Sequence, residues 1–203
     1  HLGWWPESAV ATHPIESRDW DACRDEHPER GGVVCYAVKF SPDGSVGTLA
    51  ACHRPSEGAP FVYVVDSRGL SHGIGWFVET LARVAAKAAL IVIDGQSNAQ
   101  TLTERLISER VPKGKLLRPR TSDVAAACSS LANAVKEQTV THYGQEALDV
   151  SATKSRRRPL GTGGGWGFQS TEEADATLIE AAALAYWGAM TTKRNPERKA
   201  VVW

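Results

Sequence analysis

With 203 residues, 23 Lys+Arg against 23 Asp+Glu and 42% hydrophobic residues, the chain has the make-up of one globular domain. A core of that size buries roughly 70% of the unfolded chain's surface and needs neither disulfides nor a structural metal. No apolar run approaches the ~20 residues that span a bilayer, and no signal-peptide pattern opens the chain, which argues against membrane insertion and secretion.

A net charge of zero argues against a surface that is one uniform trap for nucleic acid, but the charge is uneven along the chain. Residues 1–31 hold seven acids and three bases, whereas residues 151–203 hold five acids and eight bases. The late positive charge lies in Lys154, Arg156, Arg157 and Arg158, and again in Lys193, Arg194, Arg198 and Lys199. Cys23, Cys35, Cys52 and Cys128 show neither a CxxC pair nor a His partner at zinc-finger spacing, so buried free thiols are expected. The chain opens at His1 and its only methionine is Met190, so it reads as part of a longer protein.

In chain order, residues 1–31 carry Trp4, Trp5 and Trp20 without a period and read as a linker or an arm packed onto something else. Val33–Val38 and Val46–Cys52, joined by the turn residues Ser41-Pro42-Asp43-Gly44, predict a hairpin, and Phe61–Val65 a third strand, antiparallel to the second. Ile74, Phe77, Val78, Leu81, Val84 and Ala85 recur at helical spacing and predict an amphipathic helix over 72–88. The unbroken apolar run Ala89–Ile93, ending at Asp94-Gly95, suits a parallel strand covered on both faces. Ser97 and Gln100 form a capping-box pattern for a helix carrying Leu102, Leu106 and Ile107. A short strand at Lys115–Leu117 and a helix marked by Val124, Cys128, Leu131 and Val135 follow. The glycine-rich stretch Gly161–Gly167 breaks regularity, and a last helix is expected over 174–190. A meander followed by strand and helix in alternation predicts an α/β fold with a mixed sheet.

Asp94 stands where an apolar strand meets a glycine, the kind of position beyond which open α/β sheets bind ligands; it could equally cap the turn before Ser97. Asp175 opens the last helix beside Glu172 and Glu173, where acids also complement the helix macrodipole. If the two carboxylates converge, a hard cation such as Mg²⁺ or Mn²⁺ would hold them together, and a pair of ions could cleave a phosphodiester. Neither a nucleophile elbow nor a P-loop is present. His142, in Thr141-His142-Tyr143-Gly144, reads as a structural histidine.

Taken together, Ala37-Val38-Lys39-Phe40-Ser41-Pro42-Asp43-Gly44-Ser45, Val92-Ile93-Asp94-Gly95, Gly164–Phe168, Ala174-Asp175-Ala176-Thr177 and Glu180–Ala185 resemble the C-terminal nuclease domain of tailed-phage terminase large subunits, of the actinobacterial phage or prophage type. The resemblance implies an RNase H-like fold over residues 32–203, a mixed five-stranded sheet flanked by helices. It also implies divalent-metal-dependent cutting of concatemeric double-stranded DNA in the host cytoplasm, transiently at the procapsid portal. Implied partners are an ATPase domain in the same polypeptide, the small terminase subunit and the portal protein. Implied metal ligands are Asp94 and Asp175, with Glu180 as a substitute for the latter. The family pattern puts an Asp where this chain has Lys39, so Asp43 or Asp66 would have to complete the site. The DNA-binding set would be Lys154, Arg156, Arg157 and Arg158, with Lys39 neutralising a phosphate. Lys39 keeps a second possibility open: a nuclease-like domain that guides DNA or docks to the motor without cutting. A different RNase H-like DNA-processing enzyme is the third.

Overall fold

The computed structural model describes residues 13–196, and Trp4, Trp5, Arg198 and Lys199 lie outside them. Strands β1 (Val33–Phe40), β2 (Val46–Arg54) and β3 (Phe61–Gly69) form the expected antiparallel meander. Helix α2 (Gly75–Val84) returns the chain to β4 (Leu90–Asp94), which lies parallel to β1. Helix α3 (Ala99–Ser108) leads to β5 (Leu116–Leu117), parallel to β4. The strand order is β3-β2-β1-β4-β5, so the predicted mixed five-stranded sheet is present.

Helices α4 (Thr121–Lys136), α5 (Glu146–Lys154) and α6 (Ala176–Thr191) complete the fold with a short α1 (Ser17–Ala22). One buried cluster joins α1, α4, α5 and α6 to Cys35, Ala37, Leu90 and Val92; the other joins α2 and α3 to Val38, Phe40, Ile91 and Ile93. Alternation along β1 and β4 therefore gives each strand two covered faces, which explains the unbroken apolar run. Helix α6 is buried nearly all round, and its small residues let it lie close to the sheet. A Cβ at Gly188 would stand 3.3 Å from Val92 Cγ2.

Three local expectations are corrected, and one helix was not foreseen. The Ser97/Gln100 capping box does not form: Asn98, at φ +61°, precedes α3 without a side-chain cap, and Gln100 instead donates to Glu104 and accepts from Arg118. The glycine-rich stretch is not irregular throughout. It closes an antiparallel hairpin of β6 (Arg156–Leu160) and β7 (Gly165–Gln169), with Gly161 and Gly164 supplying left-handed turn conformations. Helix α5 carried no recognised periodic signal. The last helix begins at Ala176 rather than 174, because Asp175 serves as its N-cap and accepts from Thr177 N at 2.9 Å.

Residues 13–31, part of the segment read as an arm, include a side chain of the core. Trp20 is fully buried and stacks on His142 with ring centroids 4.0 Å apart. His142 Nδ1 accepts from Gly144 N at 3.1 Å, which leaves the proton on Nε2 to donate to the Trp20 carbonyl at 2.8 Å. Both ring nitrogens are thus satisfied by a neutral imidazole, consistent with the structural role expected. Burial pushes the His142 pKa below its ordinary 6.5, with the Trp20 carbonyl and Asp149 opposing. The unfolded chain then binds the proton first, so stability should be full above pH 6.5 and decline as pH falls below it. Urea midpoints of wild type and His142→Gln between neutral pH and pH 5 test this: the variant should show the flatter decline, and equal slopes would remove His142 as a source of acid sensitivity.

All four cysteines are free and buried, as expected. Burial raises their thiol pKa values, that of Cys35 to about 12, so they are thiols rather than thiolates at neutral pH. Among the described residues no helix is long and apolar enough to cross a membrane.

Candidate functional site

Residues 33, 35, 37 and 39 of β1 share the face that α6 covers, as do residues 90, 92 and 94 of β4. Lys39 and Asp94 are also register partners on these parallel strands. The side chains at the carboxyl ends of the two strands therefore meet each other beneath α6. Lys39 Nζ lies 2.5 Å from Asp94 Oδ2 and 2.9 Å from Glu180 Oε2. Glu180 is the acid of an otherwise apolar helix face, and its other oxygen accepts from Arg158 Nη2 at 2.9 Å and from Phe168 N at 3.0 Å. The β6–β7 hairpin thus locks onto α6 through this one carboxylate. Gly167 is needed there, since a Cβ would come within 2.8 Å of Glu180 Oε1.

The cluster is largely withdrawn from water. Side-chain exposure is 10% for Lys39, 18% for Asp94 and 3% for Glu180. Burial alone would lower the Lys39 pKa and is the largest single influence, but the Glu180 and Asp94 carboxylates and their hydrogen bonds outweigh it together. The ammonium is held above the ordinary lysine value of 10.5. It is therefore charged at neutral pH.

The expected ligands do not gather into one cluster of carboxylates. Asp94 lines a cavity of about 500 Å³ with Lys39, Arg118 and Arg158. Asp43 and Asp175 instead line a shallow groove together with Glu172 and Glu173. Asp43 is a turn residue: its Oδ1 accepts from Ser41 Oγ, Ser45 N and Ser45 Oγ, and these bonds lower its pKa to about 2. Asp175 caps α6, and Asp66 pairs with Arg68 at 2.7 Å. Among the described residues no group of three or more His, Cys, Asp or Glu side chains is placed to hold a metal ion. The residues present do not fit a two-ion centre: where the resemblance implies a first acid stands Lys39, and its ammonium already engages both nearby carboxylates.

The basic residues also divide. Lys154 and Arg156 are exposed and border a cavity shared with Gln169, Ser170, Glu172 and Glu173. Arg157 lies over the Trp166 ring, 4.5 Å from its centroid, in a cation–π contact. Arg158 turns inward, donating to Glu180 and, through Nε, to the Phe168 carbonyl at 2.9 Å. Alternation puts Arg157 on the face opposite Arg156 and Arg158; of the latter two, Arg158 is paired with Gly167 and reaches Glu180. Sequence reasoning missed Arg118 altogether, although it follows directly on β5 at the carboxyl edge of the sheet. It offered Glu180 only as a substitute; an acid alone among apolar helix residues was the available signal.

No protein-family model and no curated protein matches this sequence. Among solved structures, the large terminase of bacteriophage HK97 matches with a TM-score of 0.71 at 10% identity over 87% of this chain, which spans 43% of that protein. The large terminase nuclease of thermophilic phage G20c matches with a TM-score of 0.63 at 12% identity, over 83% of this chain and 95% of that one. The large terminase nuclease domain of Thermus phage P74-26 gives 0.59 at 12% identity, over 84% and 93%. The G20c nuclease has also been solved with bound cobalt, magnesium and zinc. In topology and extent, this chain has the RNase H-like fold of phage large terminase nuclease domains.

Proposed function

We propose that this chain is the nuclease-type domain of a phage terminase large subunit, of the actinobacterial phage or prophage type, and that it engages double-stranded DNA during genome packaging. The fold likeness supports the family and the DNA context. In this reading an ATPase domain belongs to the same polypeptide, the small subunit and portal are partners, and the place of work is the host cytoplasm at the procapsid. The domain guides DNA or docks beside the motor rather than cutting. One observation carries that choice: the Lys39 ammonium sits between Asp94 and Glu180, where the resemblance implies a metal-holding acid.

Lys154, Arg156 and Arg157 supply the backbone contacts in this reading, and Arg158 secures the hairpin they ride on. Neutralising the first three together should weaken duplex binding and flatten its salt dependence by about one unit per lost contact. Incubation with supercoiled plasmid and Mg²⁺ or Mn²⁺ tests the rest, with Asp94→Ala as control: neither protein should cut. The metal-dependent endonuclease is the second reading, favoured by Asp94 at the end of β4 and by the metal-bound G20c structures. Cutting by wild type that is lost in Asp94→Ala would establish it and sink the guiding role.

A further inference from the structure

We infer that the cavity at the carboxyl ends of β1 and β4 takes a phosphate group of DNA directly, with the Lys39 ammonium in place of a divalent cation. The ligand's identity as DNA rests on the function proposed above, whereas the preference for an anion without metal rests on local charge. Three cations, Lys39, Arg118 and Arg158, line this cavity against one lining carboxylate, Asp94. Glu180 lies behind them, 3% exposed. Even counting both carboxylates, the five groups sum to one positive charge. A site that recruits divalent ions has the opposite sign, an excess of carboxylates that the ions neutralise. Here the excess is cationic before any ligand arrives.

Donors remain for an incoming phosphate. An ammonium carries three N–H groups, and Lys39 uses two, on Asp94 and Glu180. Arg158 commits Nε and Nη2 to the protein, which leaves Nη1 for a ligand. Arg118 is exposed, and its bonds to the Gly95 carbonyl (3.3 Å) and Gln100 (3.2 Å) are long. A phosphate oxygen offers a guanidinium a shorter, charge-assisted partner than either. Gly95, at φ +141°, lets the chain leave β4 without blocking this edge; a Cβ there would stand 2.8 Å from Phe40 Cβ. The two carboxylates are each matched by a cation, so an approaching anion meets donors rather than bare negative charge.

The test is duplex binding, followed by fluorescence anisotropy of a labelled short duplex in EDTA and in Mn²⁺ or Mg²⁺ at matched ionic strength. Wild type should bind equally in both to within about twofold, and Mn²⁺ alone should not raise its melting temperature. Arg118→Gln, an exposed substitution with little bearing on folding, should weaken binding about tenfold and reduce the salt slope by about 1. Lys39→Asp, if it folds, should gain a melting-temperature rise with Mn²⁺ that wild type lacks. Binding by wild type that tightens tenfold with metal, a Mn²⁺-induced rise in its melting temperature, or unchanged affinity in Arg118→Gln would each overturn the phosphate site while leaving DNA engagement standing. Absence of duplex binding under every condition would instead defeat the DNA reading itself, and this inference with it.

Discussion

Lys39→Met should destabilise the protein by about 3–5 kcal/mol, the loss typical when one partner of a buried ion pair is removed and the others are left uncompensated. Glu180 would keep Arg158 and the Phe168 amide, but Oε2 would lose its partner, as would Asp94 Oδ2. Adding Glu180→Gln to Lys39→Met should recover most of the loss, because the amide oxygen still accepts from Phe168 N and no buried carboxylate remains on α6. Urea unfolding of wild type, single and double variants gives the three values. The Lys39 pKa is raised in the folded protein, so its stabilising contribution is fully present below the ordinary 10.5 and fades only as pH rises through the folded value. The cost of Lys39→Met should accordingly be constant from pH 6 to pH 9, and little changed by salt because the pair is shielded from water. A cost below about 1 kcal/mol would be that of a solvent-exposed pair and would contradict the burial on which the function rests.

Trp20→Ala is the second large expected effect, also about 3–5 kcal/mol. The indole is fully buried, stacks on His142, and donates from Nε1 to Asp149 at 2.7 Å. Its removal leaves a cavity between α1, α4 and α5 and an unmatched Asp149 oxygen, though Arg24 continues to bridge that carboxylate at 3.0 Å. Trp20→Phe should cost less, retaining much of the stack while losing the hydrogen bond, itself worth about 1 kcal/mol. Thermal or chemical melting decides the matter. Were Trp20 in a detachable arm, alanine would shift stability by no more than about 0.5 kcal/mol, and the packing of α1 on the domain would have no energetic weight.

The meander, the crossover to β4 and the helix pair at 99–108 and 121–136 were readable because each rests on a local pattern: alternation, an apolar run, or a stripe at helical spacing. The β6–β7 hairpin was not. Arg156-Arg157-Arg158-Pro159 has no strand pattern, and it pairs because Glu180 anchors Arg158 and Phe168 from a helix that comes later in the chain. Asp175 and Asp43 illustrate the converse. Each satisfies a local rule, as helix cap and as turn acceptor, and that local role accounts for their hydrogen bonds without any shared ion.

By itself, then, the order of apolar and polar residues determined an α/β chain with a mixed sheet and put Asp94 at a strand end where sites form; the resemblance to terminase nuclease domains, not that order, marked Lys39 as out of place for a metal ligand. Local periodicity reports which residues form an element and which face is apolar; it carries no information on which distant polar side chains share a site. Tertiary packing alone decided that Glu180 rather than Asp175 would face Lys39, since only the seating of α6 on the β1 and β4 face fixes what lies opposite that ammonium. In a buried setting, charges left unpaired cost several kcal/mol, and the pairing of Lys39 with Asp94 on the neighbouring strand and Glu180 on α6 offsets that cost.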